Sequence, residues 1–504
     1  MILNFTNPNV VREYMSKEFD ILHFEDLSNI TAGPDCLIEV LFKLYKPVFL
    51  PNERIIFYTN FYIDKDLLIH VKNICDQVDI SPSFILFVCP YDIHKNIDQI
   101  CSSDDKFDLK LASIKKSDPL SESYKKNSTI CPLPWMHLNI NNQGLFRPCC
   151  QNNQTVGSIH HDEPEDVFHC SKMDEIRDSL NNGQRHNSCQ RCWTIEDCGS
   201  TSPRQLMLNL YGSIFFNQLK NNPTVTSLDL KLGNACNFKC RICSESASSA
   251  IASETLKYEI DDFNIKKIKL IQKNSKWFDS DDIIKLKVLK LLDQIFQLDF
   301  YGGEPFLTKN LESVLDYLIN SKRSKKIRLH FNTNGSVFPD KLITKLHQFK
   351  KVDIAISIDD IGNRFEVTRG GNWEKVLQNI KLFQQLDNKQ YNVYIYSTVS
   401  ILNVYYLDEL FNWASKENIN IITNFVTEPE YLSIEFLTPM AKKVVLDKYK
   451  SAKHPLLQPV VSLVSNSKGS DGKQFVKKMQ HLDSIRNQNL RTTHKEITTS
   501  MGYV

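Results

Sequence analysis

Cys236, Cys240 and Cys243 fall in the run Leu-Gly-Asn-Ala-Cys-Asn-Phe-Lys-Cys-Arg-Ile-Cys, a C-x3-C-x2-C loop that offers three thiolates to one metal centre. A [4Fe-4S] cluster usually takes four cysteines, so a loop supplying three leaves one iron open to bind another molecule. A zinc knuckle short of its fourth ligand and a chance grouping of buried thiols are the alternatives.

A second cysteine group lies upstream: Cys131-Pro132-Leu133-Pro134-Trp135, then Gly144, then Pro148-Cys149-Cys150, and later Cys189-Gln190-Arg191-Cys192-Trp193. The alternation of Met136 to Ile140, followed by Asn141-Asn142-Gln143-Gly144, predicts a hairpin that draws Cys131 and Cys149 together. Cys189 and Cys192 would complete four ligands, for an iron-sulfur cluster or for zinc. Cys150 and Cys198 are spare candidates, and the histidines at 137, 160, 161, 169 and 186 are expected on the surface or in loops. The C-x12-G-x4-C then C-x2-C pattern is similar to the SPASM and Twitch modules that hold an auxiliary cluster. Those modules usually follow their catalytic core, whereas here the pattern precedes the three-cysteine loop.

About sixty residues beyond that loop comes Phe300-Tyr301-Gly302-Gly303-Glu304-Pro305, then Asn332-Thr333-Asn334-Gly335, Ser357-Ile358-Asp359-Asp360 and Arg369. Together, over about residues 224 to 430, these segments resemble the radical S-adenosylmethionine (SAM) enzymes. The resemblance implies an α/β fold built on a partial (β/α)6 TIM-like barrel. It implies a [4Fe-4S] cluster on Cys236, Cys240 and Cys243 whose open iron chelates SAM, so that reductive cleavage yields a 5′-deoxyadenosyl radical that takes hydrogen from a substrate. It also implies a probable auxiliary [4Fe-4S] cluster on Cys131, Cys149, Cys189 and Cys192. Gly302 and Gly303 would let the backbone approach the methionyl end, with Glu304 accepting from the SAM ammonium and Pro305 fixing the turn. Ser357 and Arg369, with Asn334, are candidates for the SAM carboxylate and ribose. Ile242 stands where the family often has an aromatic residue.

These residues need a scaffold, and six β-like runs alternate with helical ones, at about 226–232, 296–301, 326–332, 352–359, 392–399 and 419–426. In the first four, apolar residues hold one face and the others the opposite one: Leu228, Leu230 and Leu232 oppose Asp229 and Lys231; Leu298 and Phe300 oppose Asp299 and Tyr301; Ile327, Leu329 and Phe331 oppose Arg328, His330 and Asn332; Val352, Ile354, Ile356 and Ile358 oppose Asp353, Ala355, Ser357 and Asp359. A closed barrel packs branched apolar side chains inside. Here the apolar face must lie under the helices and the polar face look inward, a lumen to be filled by water, cofactor or substrate. Tyr301, His330 and Tyr396 are the inward-facing candidates for a place near substrate, and no catalytic residue is assigned.

The chain has 504 residues, 41% apolar, with 61 Lys+Arg against 59 Asp+Glu, so neither disorder nor a global field for nucleic acid or an anionic membrane is expected. No secretion signal or membrane span is read, which points to the cytoplasm and to the 14 cysteines as ligands and buried thiols. Cys36, Cys75, Cys89 and Cys101 are expected to be small buried hydrophobes. The order predicted is an N-terminal α/β domain at 1–120 with strands near Arg54 to Tyr58 and Phe84 to Val88, a cysteine-rich SPASM/Twitch-like module at 128–205, the barrel at 222–435 and a C-terminal helical extension at 436–504. The N-terminal domain is a candidate to grip the substrate. The expected function is a radical SAM oxidoreductase or maturase that oxidises or cross-links a peptide, served by an electron donor such as flavodoxin or ferredoxin. A dehydrogenase or epimerase of a sugar or other small metabolite is the alternative, and a non-catalytic iron-sulfur or zinc-binding protein the third.

Overall fold

The computed structural model describes residues 129–197, 202–452 and 454–503, together with three strands of the N-terminal part. Those three, β1 (Ile21–Phe24), β2 (Arg54–Tyr58) and β3 (Ile85–Val88), form a parallel sheet in that order. They belong to a unit of residues 1–128, distinct from the compact unit of residues 129–504. Cys36, Cys75, Cys89, Cys101 and Cys198 lie outside the described residues.

The second unit is organised by one nine-stranded sheet. Its strands are β4 (His137–Ile140), β5 (Leu145–Arg147), β6 (Gly157–Ser158), β7 (Ser227–Lys231), β8 (Gln297–Tyr301), β9 (Arg328–Thr333), β10 (Lys351–Ser357), β11 (Tyr391–Val399) and β12 (Asn420–Phe425). Their order is β12-β11-β10-β9-β8-β7-β4-β5-β6, parallel from β12 through β4 and antiparallel from β4 to β6. The sheet does not close on itself, as a partial barrel requires. The six expected strands are β7 to β12.

The alternation in the sequence is the reason for this arrangement. Leu228, Leu230, Leu298, Phe300, Leu329, Phe331, Val352, Ile354 and Ile356 are fully buried and share one core with Leu311, Val314, Leu315 and Leu318 of the helix Leu311–Asn320. The apolar face is therefore the helix-covered face.

The cysteine-rich module is not a separate bead ahead of the barrel. Its first strand, β4, pairs in parallel with β7, Asn139 opposite Asp229, and the backbone NH groups of Thr224 and Thr226 donate to Trp135 and Met136. The hairpin thus continues the barrel sheet past its first strand. His137, expected at the surface, is instead buried in β4, where Nδ1 meets Ser227 Oγ at 2.9 Å, because β7 covers it.

Beyond β12 the chain is helical. Val445, Val460, Val464, Phe475 and Met479 of the helices Pro439–Tyr449, Leu457–Ser465 and Lys473–Arg486 join the barrel core.

Candidate active site

The loop carrying Cys236, Cys240 and Cys243 follows β7 and ends at the helix Ser249–Tyr258. Its backbone is held from that helix start, since Ser249 Oγ accepts from Cys236 NH at 3.2 Å and Ser248 Oγ donates to Phe238 O at 2.7 Å. From the next strand end, Glu304 NH donates to Ala235 O at 2.7 Å. A Cβ on Gly303, whose φ is +52°, would lie 2.2 Å from that same oxygen, so only glycine allows the two loops to touch. The Asn334 amide, after β9, donates to Cys236 Sγ at 3.7 Å and to Asn237 Oδ1 at 3.0 Å. Gly302, Gly303 and Asn334 are thus brought to the cysteine loop.

Glu304 is anchored from the neighbouring strand end. It is fully buried, with Oε1 accepting from Thr333 Oγ1 at 2.8 Å and from Phe306 NH at 3.2 Å, and Oε2 accepting from Asn334 NH at 2.7 Å. Burial pushes its carboxyl up to about 7. These contacts tie β8 to β9 at the turn of Gly302 and Gly303. Pro305 is buried and opens a short 3-10 turn after it.

Arg369 ends the helix Gly362–Arg369, 6% exposed, with Nη2 2.8 Å from Asp359 Oδ2. Its charge favours the thiolates of Cys240 and Cys243. Those two thiols hydrogen-bond each other, which raises Cys240 and lowers Cys243, while burial raises Cys236. Ser357 closes β10, half-buried and in register with Tyr396 of β11.

Arg241, between the second and third cysteines, points away from the barrel. Its side chain is fully buried in an ion pair with Asp483 of the helix Lys473–Arg486, and it also donates to Gln488 Oε1 at 2.8 Å and Val367 O at 3.0 Å. Breaking a buried pair leaves one charge uncompensated, at a cost of about 3–5 kcal/mol. Asp483→Asn is therefore expected to lower the thermal unfolding midpoint and to hasten iron loss from the reconstituted protein. Unchanged values for both would remove the C-terminal helix from the support of this loop.

The second cysteine group also assembles. Cys131 stands before β4, Cys149 just after β5, and Cys189 and Cys192 at the start of the helix Gln190–Asp197. Each is raised chiefly by burial, and Cys131 and Cys149 are raised further by Cys189 and Cys192. Arg204, which belongs to no motif, is 3% exposed, is paired with Glu196 at 2.6 Å and favours the thiolates of Cys131, Cys189 and Cys192. Cys150 is exposed and turned to the polar face of the barrel, its electrostatic neighbours being Asp229, Lys231 and Asp299.

The donor sets fit iron-sulfur clusters. Both sets consist of thiolates, the soft ligands that iron-sulfur clusters take. The first loop offers sulfur ligands alone, and the remaining described cysteines are the second group, Cys150 and Cys170, whose thiol faces Val156 O.

Comparison with known proteins agrees with this geometry. Residues 230–414 match the model of the radical SAM superfamily, and residues 131–193 match the SPASM iron-sulfur cluster-binding domain. Residues 230–414 thus carry a radical SAM domain, and the SPASM module at 131–193 precedes it. The chain's cofactors are accordingly a [4Fe-4S] cluster, SAM and an auxiliary iron-sulfur cluster.

Among curated relatives, the chain is 27% identical over 165 residues to molybdenum cofactor biosynthesis protein 1 of Dictyostelium discoideum, covering 32% of this chain and 22% of the relative. It is 24% identical over 214 residues to the radical SAM cyclopropyl synthase TigE of Paramaledivibacter caminithermalis, covering 41% of this chain and 42% of that protein. The chain thus spans less than half the length of either. Among solved structures it is similar to native anSMEcpe with bound AdoMet, at 15% identity, 51% and 60% coverage and a TM-score of 0.28. It is also similar to Streptococcus suis SuiB bound to S-adenosylmethionine, at 12% identity, 61% coverage of each chain and a TM-score of 0.29. No helix among the described residues is long and apolar enough to cross a membrane.

Proposed function

We propose that this chain uses the centre at Cys236, Cys240 and Cys243 to oxidise or cross-link a peptide, with the module of Cys131, Cys149, Cys189 and Cys192 passing electrons. The observation that carries this reading is the pairing of β4 with β7, which sets both cysteine groups on one sheet beside a shared polar face. When bound, the cofactors supply a radical that removes hydrogen from carbon. The residues of the chain do the rest. The backbone at Gly302 and Gly303 and the side chains of Asn334, Ser357 and Arg369 orient SAM, while Glu304 fixes the two strand ends that present them. Arg204 offsets the negative charge of the auxiliary thiolates.

A two-electron oxidation also releases a proton, and the polar face holds acceptors for it. His330 is kept neutral, lowered to about 4 by burial, with Nε2 3.0 Å from Tyr394 Oη and Nδ1 3.5 Å from Asp299 Oδ1. The ring of Tyr301 packs edge-on against His330. A flavodoxin- or ferredoxin-type donor would supply the reducing electron.

The test is to incubate the anaerobically reconstituted chain with SAM, reductant and short peptides encoded next to its gene. The expected result is 5′-deoxyadenosine together with a peptide lighter by two hydrogens. Turnover with an added sugar or other metabolite, and none with any peptide, would favour the small-molecule alternative. Full cluster occupancy with no SAM cleavage would favour a binding protein.

A further inference from the structure

One level of the sheet carries polar residues on successive strands. Reading the register across, Asn139 of β4 lies opposite Asp229 of β7, Asp229 opposite Asp299 of β8, Asp299 opposite His330 of β9, His330 opposite Asp353 of β10, and Asp353 opposite Asn392 of β11. Side chains opposite one another share a face, so these six form a continuous polar row on the inward side.

The two ends of the row are not alike. At the β10 end the charges are matched: Arg328 is paired with Asp353, Nη2 to Oδ1 at 2.9 Å, and Asn392 Nδ2 donates to the same oxygen at 2.9 Å. At the β7 end two carboxylates stand side by side. Asp299 Oδ1 accepts from Gln297 Nε2 at 2.6 Å, and Asp229 Oδ2 accepts from Asn139 Nδ2 at 2.7 Å. Asp229 Oδ1 and Asn139 Oδ1, on residues 2% and 1% exposed, have no hydrogen-bond partner among the described residues, and neither does Asn332 Oδ1. Lys231 is the cation within electrostatic reach of Asp229, but it forms no ion pair with it among the described residues. Arg147, opposite Asn139 on β5, has an unpartnered Nε at the margin of the row.

Buried acceptors without donors are costly, at about 1–3 kcal/mol each, so they mark a place where something else donates. Asp229 Oδ1, Asn139 Oδ1 and Asn332 Oδ1 are unpartnered acceptors beside two carboxylates, of which Asp229 raises Asp299, whereas the unpartnered donors Asn142 Nδ2 and Arg147 Nε stand at the margin, just after β4 and on β5. Burial and repulsion from Asp229 push Asp299 up to about 8, and burial pushes Asp229 up to about 6. A group with several N–H donors and a positive charge satisfies both deficits, while a neutral donor satisfies only the first and an anion neither.

We infer that Asn139, Asp229 and Asp299 bind a cationic group of the substrate, an ammonium or guanidinium, so that the chain acts on a residue at or beside a lysine, an arginine or a free amino terminus. Cys150, exposed and facing the same carboxylates, lies at the rim of this site. The inference rests on the reading of the polar face as the substrate site of a peptide-modifying enzyme.

The experiment is calorimetric titration of the reconstituted full chain with Nα-acetyl-lysine amide, Nα-acetyl-arginine amide and the neutral Nα-acetyl-norleucine amide, repeated with Asp229→Asn and Asp299→Asn. Charge-assisted hydrogen bonds of this kind are worth about tenfold or more in affinity. At least one cationic amide is expected to bind about tenfold tighter than norleucine amide, and either substitution to abolish that preference. Asp299, half-buried, serves as the second variant if Asp229→Asn does not fold. Equal binding of all three amides, a preference that survives both substitutions, or no binding of the amides and none of agmatine or butylamine either would overturn the inference. Agmatine and butylamine separate its failure from that of the peptide reading. If these free amines bind tightly and the peptide amides do not, the cation site stands and the peptide substrate falls. A peptide oxidised irrespective of its charge would sink the cation site alone.

Discussion

A chain in which Cys236, Cys240 and Cys243 are all alanine is expected to retain about four irons after anaerobic reconstitution where the parent holds about eight, and to form no 5′-deoxyadenosine. The two cysteine groups share no ligand: Cys131, Cys149, Cys189 and Cys192 act on one another, and Cys240 and Cys243 on each other. Removing one set should therefore spare the other. The loop is also tied down through atoms other than sulfur, by Ser249, Arg241 and Ala235, so the fold should survive. Iron analysis and absorbance of the triple variant beside the parent check this, and a variant that loses all of its iron would show that the two centres are not independent.

Gly303→Ala should be nearly as severe and leaves every proposed ligand in place. The new methyl would meet Ala235 O at 2.2 Å, a backbone atom one residue before Cys236, and alanine would be forced to a φ of +52°. Positive φ in a residue with a Cβ costs of the order of 1–3 kcal/mol before any clash is counted. One of the two loops must move, either the cysteine loop or the turn that faces SAM. SAM cleavage should fall by about a hundredfold or more, since misplacement by about 1 Å has that effect, while the SPASM cluster remains spectroscopically normal. An active Gly303→Ala protein would mean that the two loops need not touch.

What the sequence disclosed and what it withheld divide along the distance between partners. The Cys236 loop is legible because its ligands lie within eight residues, and β7 to β12 are legible because a two-residue alternation is a local signal. The β4–β5 hairpin that gathers Cys131 and Cys149 was readable for the same reason. The pairing of β4 with β7 was not, because register between distant strands leaves no mark on either strand alone. A carboxylate after two glycines says nothing of Thr333 and Asn334, which donate to Glu304 from the next strand end. Arg241 and Asp483 are 242 residues apart, and Arg204 meets Glu196 only once both are buried. The lumen, expected to await water or a ligand throughout, is largely self-satisfied at the β10 end, where Arg328 and Asn392 cover Asp353. It is unsatisfied at the β7 end, beside the auxiliary module. Pairing of this kind depends on which charges neighbouring strands bring opposite one another.

The most direct test of the central claim is electron paramagnetic resonance of the reduced, fully reconstituted chain with and without SAM, with 5′-deoxyadenosine measured in the same samples. A three-cysteine centre with an open iron predicts that SAM shifts the signal of one cluster, leaves that of the other unchanged, and is cleaved. A spectrum indifferent to SAM at full iron occupancy, with no 5′-deoxyadenosine formed, would contradict it.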